Sequence, residues 1–164
     1  MDRDLLRDVP AQPPSIAEWE DLLVRLDIAP RAVRVAIDDI AAPGEEVLRV
    51  LQVAVARESW YSGVIEALRL GHSFSPNVSF GPITFGDEGE ERAGTAIELC
   101  WAFEATRTRN FAQVQRRGVE VWKWEAPLTG GGSMTVFQFL TVAARSDAET
   151  LAMIRAAGRG ERTA

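Results

Sequence analysis

Four charged side chains interrupt otherwise apolar faces of predicted helices. Glu58 lies on one such face, Glu104 and Arg107 lie on a second, and Asp147 lies on a third. A buried charge without a partner strongly destabilises a protein, so we expect these four side chains to meet. Arg107 would then pair with one or more of the three carboxylates.

Three interpretations of these four charges are open from the sequence. They form a buried or half-buried ion-pair cluster that fixes helix register, or a helix face is assigned one residue out and some of them face water, or they line a polar pocket. In the pocket, Arg107 would anchor an anion, and Glu58, Glu104 and Asp147 would supply acid and base groups.

A pair of hydroxyl side chains lies in the predicted last helix. Ser146 and Thr150 are four residues apart in "RSDAET", so they share one helix face. This is the spacing with which a helix offers two ligands to one metal ion. Neutral hydroxyls are weak ligands for Zn, Ni or Fe, and the flanking Asp147 and Glu149 point in different directions, which does not favour Mg. We therefore expect no catalytic metal and no other cofactor.

The single histidine and the single cysteine are weak candidates for chemistry. His72 follows the second predicted helix in a Gly/Ser-rich loop and is expected to be exposed. Cys100 lies on an apolar helix face beside Trp101, where it is expected to be a small core residue. The sequence has no phosphate-binding loop, nucleophile elbow or paired C-x-x-C motif, so we assign no catalytic residue.

The composition narrows the class of protein. The chain has 164 residues, of which 46% are hydrophobic and 26% charged, which is typical of one globular domain. Its net charge of -6 argues against nucleic-acid binding, which depends on clustered Lys and Arg. We expect no signal peptide and no membrane span, and a lone cysteine fits a reducing compartment, so a cytoplasmic location is predicted.

Prolines and glycines divide the chain into predicted helices. Residues 1–14 are expected to be a flexible N-terminal arm, and the "SIAE" that follows can form a capping box at the start of the first helix. Pro30 is expected to kink or restart this helix, and "AAPG" at 41–44 ends it. The second helix is predicted from Glu45 to Gly71.

A long crossover separates the second helix from the third. Its Phe residues indicate a packed loop rather than a free linker. The third helix is predicted from about Glu90 to Arg117, and residues 119–128 fit either a strand or a loop. The fourth helix is predicted to begin near Ser133 or Thr135.

Four amphipathic helices with one long connection are typical of a helix bundle. The sequence therefore predicts an all-α four-helix bundle, with residues 15–158 as a single domain and 159–164 as a C-terminal tail. Five Trp and seven Phe exceed what four core-facing helix faces need. This surplus predicts a second buried surface, and hence a homodimer.

Three stretches carry a resemblance to a known family. They are "EEVLRVLQVAVARESWYSGVIEAL", "RTRNFAQVQ" and "GGGSMTVFQFLTVAARSDAETLAMIRAA". Their order and spacing, from about Trp19 to Ala157, resemble the DinB-like superfamily, which includes the YfiT-type metal-dependent hydrolases and thiol-dependent transferases. The resemblance implies an up-up-down-down-like four-helix bundle that is often dimeric.

Members of that family that bind metal hold it with three histidines. One comes from the second helix and two from an H-x-x-x-H pair on the fourth. Ser146 and Thr150 take the paired positions here, and the second-helix position falls near Gln52, Val53 or Ala54. The resemblance therefore predicts a divergent member that has lost the metal site.

The favoured function is binding of a small molecule or a partner in the remaining cleft. Two alternatives remain. One is a hydrolase or thiol-dependent transferase that uses the pocket carboxylates and Arg107. The other is a structural or regulatory homodimer without a ligand.

Overall fold

Four long α-helices make up most of the chain that the structure describes. The computed structural model describes residues 8–81, 83–86 and 92–159. The chain is all-α in class, as the sequence predicts. The helices are α1 (Ile16–Asp38), α2 (Glu45–Leu70), α3 (Ala96–Gln115) and α4 (Val136–Gly158).

Side-chain caps begin three of these helices. Ser15 Oγ accepts the Glu18 backbone N–H at 3.1 Å at the start of α1, which then runs without interruption through Pro30. Thr95 and Thr135 each form a capping box, the first with Glu98 and the second with Gln138. Each box satisfies backbone N–H groups that a helix start leaves without an intrahelical partner.

The third helix begins later than the sequence predicts. Thr95 caps it and Ala96 is its first residue, whereas the expected start at Glu90 lies outside the described residues. Just before the cap, the short strand β2 (Arg92–Ala93) pairs antiparallel with β1 (Thr84–Phe85). Strand pairing thus takes the residues that a longer helix would have used.

The stretch at 119–128, for which strand and loop were both open, contains two elements. A 3-10 helix spans Gly118–Lys123, and β3 (Glu125–Pro127) follows it. β3 pairs antiparallel with β4 (Ser133–Thr135), which leads directly into α4. β3 also contacts α2, and β4 contacts α4.

Each long helix packs against two others. α1 contacts α3 and α4, and α2 contacts the same two helices. The core has two apolar clusters. One includes Trp19, Leu26, Tyr61, Phe111, Phe139 and Leu140. The other includes Val33, Leu51, Leu99, Phe103 and Ile154.

Part of the predicted flexible arm contacts the helices. Val9 is buried, and its carbonyl accepts a hydrogen bond from Gln138 Nε2 at 3.2 Å. Gln12 Nε2 donates to the Trp122 carbonyl at 2.8 Å. Residues 8–14 therefore pack on the helices, and Val9 joins the apolar cluster that contains Trp19 and Leu26. Residues 1–7 and 160–164 lie outside the described ranges. Within those ranges, no helix has the length and hydropathy needed to cross a membrane.

Candidate functional site

An ion-pair cluster links three helices at the centre of the domain. Arg107 on α3 donates from Nε to Glu58 Oε2 on α2 at 3.0 Å. It also donates from Nη1 and Nη2 to the two oxygens of Asp147 on α4, at 2.7 and 2.8 Å. All three residues are buried, with exposed fractions of 2% for Arg107, 0% for Glu58 and 4% for Asp147. The structure therefore brings together three of the four charges singled out in the sequence.

The guanidinium of Arg107 lies where the two apolar clusters meet. Its Cζ is 5.0 Å from the centroid of the Phe103 ring and 5.1 Å from that of Phe111. Nη1 also donates to the Leu26 carbonyl of α1 at 2.8 Å. Arg107 thus ties all four helices together, which is how a buried guanidinium is tolerated.

Asn110 completes the cluster, although it was not among the predicted site residues. Its Nδ2 donates to the Glu58 carbonyl at 2.8 Å and to Glu58 Oε1 at 2.9 Å, and its Oδ1 accepts from Ser62 Oγ at 2.5 Å. The sequence signal for Asn110 is its position three residues after Arg107, because residues three apart share a helix face.

The environment of the cluster shifts the pKa values of two members. Burial raises the pKa of Glu58, and the charge and hydrogen bonds of Arg107 only partly oppose this effect. Burial acts to lower the pKa of Arg107, but its hydrogen bonds and ion pairs with Asp147 and Glu58 outweigh burial and raise it. Arg107 therefore stays charged, and the folded protein holds the Glu58 proton more tightly than an ordinary exposed glutamate would.

Glu104 does not join this cluster, contrary to the expectation from its helix face. Its Oε2 accepts from Arg34 Nη1 of α1 at 2.9 Å, and Arg31 Nε lies 3.7 Å from its Oε1. Its side chain is 30% exposed. Three residues before Arg107 on α3, Glu104 is turned towards the surface of α1, where partly solvated arginines pair with it.

A cleft opens between α2, α4 and the crossover loop. Its volume is about 250 Å³. The crossover loop contributes Pro76, Val78 and Phe80 to its wall, so this loop is packed rather than free. The other lining residues are Arg57, Trp60, Tyr61, Phe139, Val142, Ser146 and Glu149.

Arg57 on α2 lies between the cleft and the ion-pair cluster. Its Nη2 donates to Thr150 Oγ1 at 3.0 Å and to the Ser146 carbonyl at 3.5 Å, and it lies 3.8 Å from Asp147 Oδ1. Its Nε is buried without a hydrogen-bond partner. Arg57 was not among the predicted site residues. The sequence signal that could have identified it is its position four residues before Tyr61, which places a cation on an otherwise apolar helix face.

The hydroxyl pair at Ser146 and Thr150 is engaged within the protein. Thr150 Oγ1 donates to the Ser146 carbonyl at 2.8 Å and accepts from Arg57, while Ser146 lines the cleft. A smaller neighbouring cleft of about 160 Å³ contains Val53, Arg57, Ser146 and Thr150. A guanidinium therefore faces the hydroxyl pair from α2.

These residues do not fit the three-histidine metal site that the resemblance implies. The Thr150 hydroxyl lies against a cation, and Val53 offers no ligand atom. Across 8–81, 83–86 and 92–159, no three or more His, Cys, Asp or Glu side chains are grouped so that they could hold a metal ion.

His72 and Cys100 are placed as the sequence predicts. His72 is exposed in the loop after α2. Cys100 is 1% exposed in the core, and burial raises its pKa to about 11. A thiol with so high a pKa is a poor nucleophile near neutral pH.

Comparison of the chain with family models, with curated proteins and with solved structures finds no match.

Proposed function

We propose that this protein is a four-helix bundle of the DinB-like type that binds a small molecule in the cleft between α2 and α4. The quoted stretches on α2, α3 and α4 support the family, as does the packing of α1 and α2 against both other helices. The proposed family member uses no metal.

One observation carries the proposal of ligand binding. The cleft of about 250 Å³ has walls of Trp60, Tyr61, Phe80, Phe139 and Val142, with few polar groups among them. Concave apolar sites with a small number of placed polar groups are typical of small-molecule binding. Ser146, at a position where the resemblance places a metal ligand, lines this same cleft.

The alternative of an enzyme that uses the buried charges has less support. Arg107 and Glu58 are at most 2% exposed, and Asp147 uses both carboxylate oxygens on Arg107. A general acid or base must come within hydrogen-bonding reach of a substrate. The arrangement favours an ion-pair network that holds the four helices in register.

The homodimer remains part of the proposal. Val24, Ile28 and Val35 of α1 are 58%, 51% and 60% exposed. Their spacings of four and seven residues place them along one face of α1. An exposed apolar stripe of this kind is typical of a protein–protein interface, which favours a dimer over a monomer.

Filling the cleft tests the proposed function. A panel of small aromatic and aliphatic compounds is screened by ligand-detected NMR against the wild-type chain, Val142→Phe and Val119→Phe. Val142 lines the cleft, whereas Val119 is 53% exposed in the 3-10 helix, so both variants add the same side-chain volume at different places. We expect hits that Val142→Phe loses and Val119→Phe keeps. Hits that survive Val142→Phe, or a panel with no hit, would contradict the proposal.

A further inference from the structure

We infer that the ligand of the α2/α4 cleft is a small monocarboxylate with an apolar body, anchored by Arg57. This inference rests on the proposed function, because it specifies what the same cleft binds.

Arg57 has hydrogen-bonding capacity that the protein leaves unused. Within the described part of the chain, only Nη2 of its three nitrogens makes hydrogen bonds, to Thr150 and Ser146. Nε has no partner although it is buried, and a buried donor without a partner is destabilising. Nη1 also makes no hydrogen bond to the described residues and, unlike Nε, is not fully buried, so it is the donor open to an oxyanion in the cleft that Arg57 lines.

Three residues of α4 hold Arg57 in place. Thr150 and Ser146 accept from Nη2, and Asp147 lies 3.8 Å from the same atom. These contacts fix the guanidinium before a ligand arrives, which reduces the entropy lost on binding. The side chain is only 15% exposed, so an anion there would interact in a partly desolvated environment.

The cleft walls favour an apolar body on that anion. Trp60 packs edge-on against Phe80, with ring centroids 6.1 Å apart, and Phe139 packs edge-on against Tyr61 at 5.0 Å. These rings present apolar faces and edges to the cleft. Aromatic and aliphatic groups gain free energy when such surfaces remove them from water.

The charges around the cleft favour one negative charge over two. Arg57 is the cation of the lining, and Glu149 adds a carboxylate at the exposed edge. Asp147 Oδ1 lies 3.8 Å from Arg57 Nη2. The pKa of Tyr61 is raised to about 12, mainly by burial, so its phenol stays neutral. A dianion such as a phosphate monoester would meet these carboxylates with only one guanidinium to offset them.

Matched acids and amides test this inference. 3-Phenylpropanoate and hexanoate are each compared with their neutral amide by isothermal titration calorimetry, and phenyl phosphate serves as the dianion. We expect each acid to bind at least about tenfold more tightly than its amide, because charge-assisted hydrogen bonds are stronger than neutral ones. Tryptophan emission, compared with a Trp60→Phe variant, reports whether the probe occupies this cleft.

Arg57→Met is the decisive variant, and Arg31→Met is its control. Arg31 is 68% exposed on α1, so its replacement removes a cation away from the cleft. We expect Arg57→Met to abolish the preference for acid over amide while amide binding persists, and Arg31→Met to keep the preference. The comparison of acid with amide in the wild-type chain holds even if Arg57→Met does not fold.

The outcomes separate the two proposals. Equal binding of acid and amide, both lost in Val142→Phe, would retain the small-molecule cleft and overturn the carboxylate inference. Tighter binding of phenyl phosphate than of 3-phenylpropanoate would overturn the preference for a monoanion. No binding of any acid or amide, with unchanged Trp60 emission, would overturn the carboxylate inference, and a panel without hits would overturn the cleft function as well.

Discussion

Arg107 and Asp147 form a bidentate ion pair that joins α3 to α4 inside the domain. The two hydrogen bonds measure 2.7 and 2.8 Å, and both side chains are almost fully buried. Burying such a pair costs desolvation free energy, so the pair is tolerated because each of its charged groups has a partner. Removing one member leaves the other charge buried without a partner, which should destabilise the domain.

Arg107→Met should strongly destabilise the fold. It leaves Glu58 and Asp147 buried without their main partner, so we expect a loss of about 3–5 kcal/mol in the free energy of unfolding. Urea denaturation followed by far-UV circular dichroism measures it. Arg31→Met, which affects an exposed and loosely paired arginine, should change the free energy by less than about 1 kcal/mol. A similar small change for Arg107→Met would mean that the cluster does not hold the helices together.

Glu58 should make the fold less stable as the pH rises. Its pKa is raised in the folded state above the ordinary value of 4.5, mainly by burial. The folded protein therefore binds the Glu58 proton more tightly than the unfolded chain does. The resulting stabilisation is full below the unfolded pKa, and is lost as the pH rises from about 4.5 through the folded pKa.

Glu58→Gln isolates this effect because glutamine does not ionise. The stability of Glu58→Gln relative to the wild type should increase from pH 4.5 towards neutral pH, measured by urea denaturation at each pH. Glu104→Gln is the control, because it makes the same substitution at a partly exposed site on α3 outside the buried cluster. A stability difference between Glu58→Gln and wild type that does not change with pH would contradict the prediction.

The protein should not hold a transition metal at Ser146 and Thr150. Hydroxyls are weak ligands, and the Arg57 guanidinium lies 3.0 Å from Thr150 Oγ1, so a divalent cation there would be repelled. We expect far less than stoichiometric metal by mass spectrometry after untagged protein is incubated with Zn and Ni and dialysed. Near-stoichiometric metal that a Ser146→Ala/Thr150→Ala variant loses would refute this.

The chain should form a homodimer at tens of micromolar concentration. The exposed apolar stripe of α1 motivates this expectation, and light scattering should give twice the mass of the chain. Ile28→Glu places a charge in the centre of the stripe and should shift the mass towards the monomer, whereas Ile97→Glu on α3 should not. A strictly monomeric wild-type chain would contradict the prediction.

The sequence by itself determined the presence of the four helices and the burial of three of the four charges. Apolar spacing and caps at Ser15 and Thr135 locate helix starts, because these signals act within a few residues of the same segment. The same spacing assigned four charges to core-facing sides, where a charge needs a partner; Glu58, Arg107 and Asp147 are buried there, and Glu104 is not.

Only the tertiary structure decided which faces meet. Periodicity relates residues within one helix but carries no information about the rotation of that helix against its neighbours. Glu104 pairs with Arg34 rather than with the cluster. Ile16 and Ile97 have helical spacing from the buried Trp19 and Cys100, which predicts core-facing positions, yet they are 58% and 40% exposed at helix starts. Segment 8–14 and the guanidinium of Arg57 also find their partners far away in the sequence, at Gln138 and Thr150. Such long-range contacts depend on how the four helices pack together, and no local pattern specifies them.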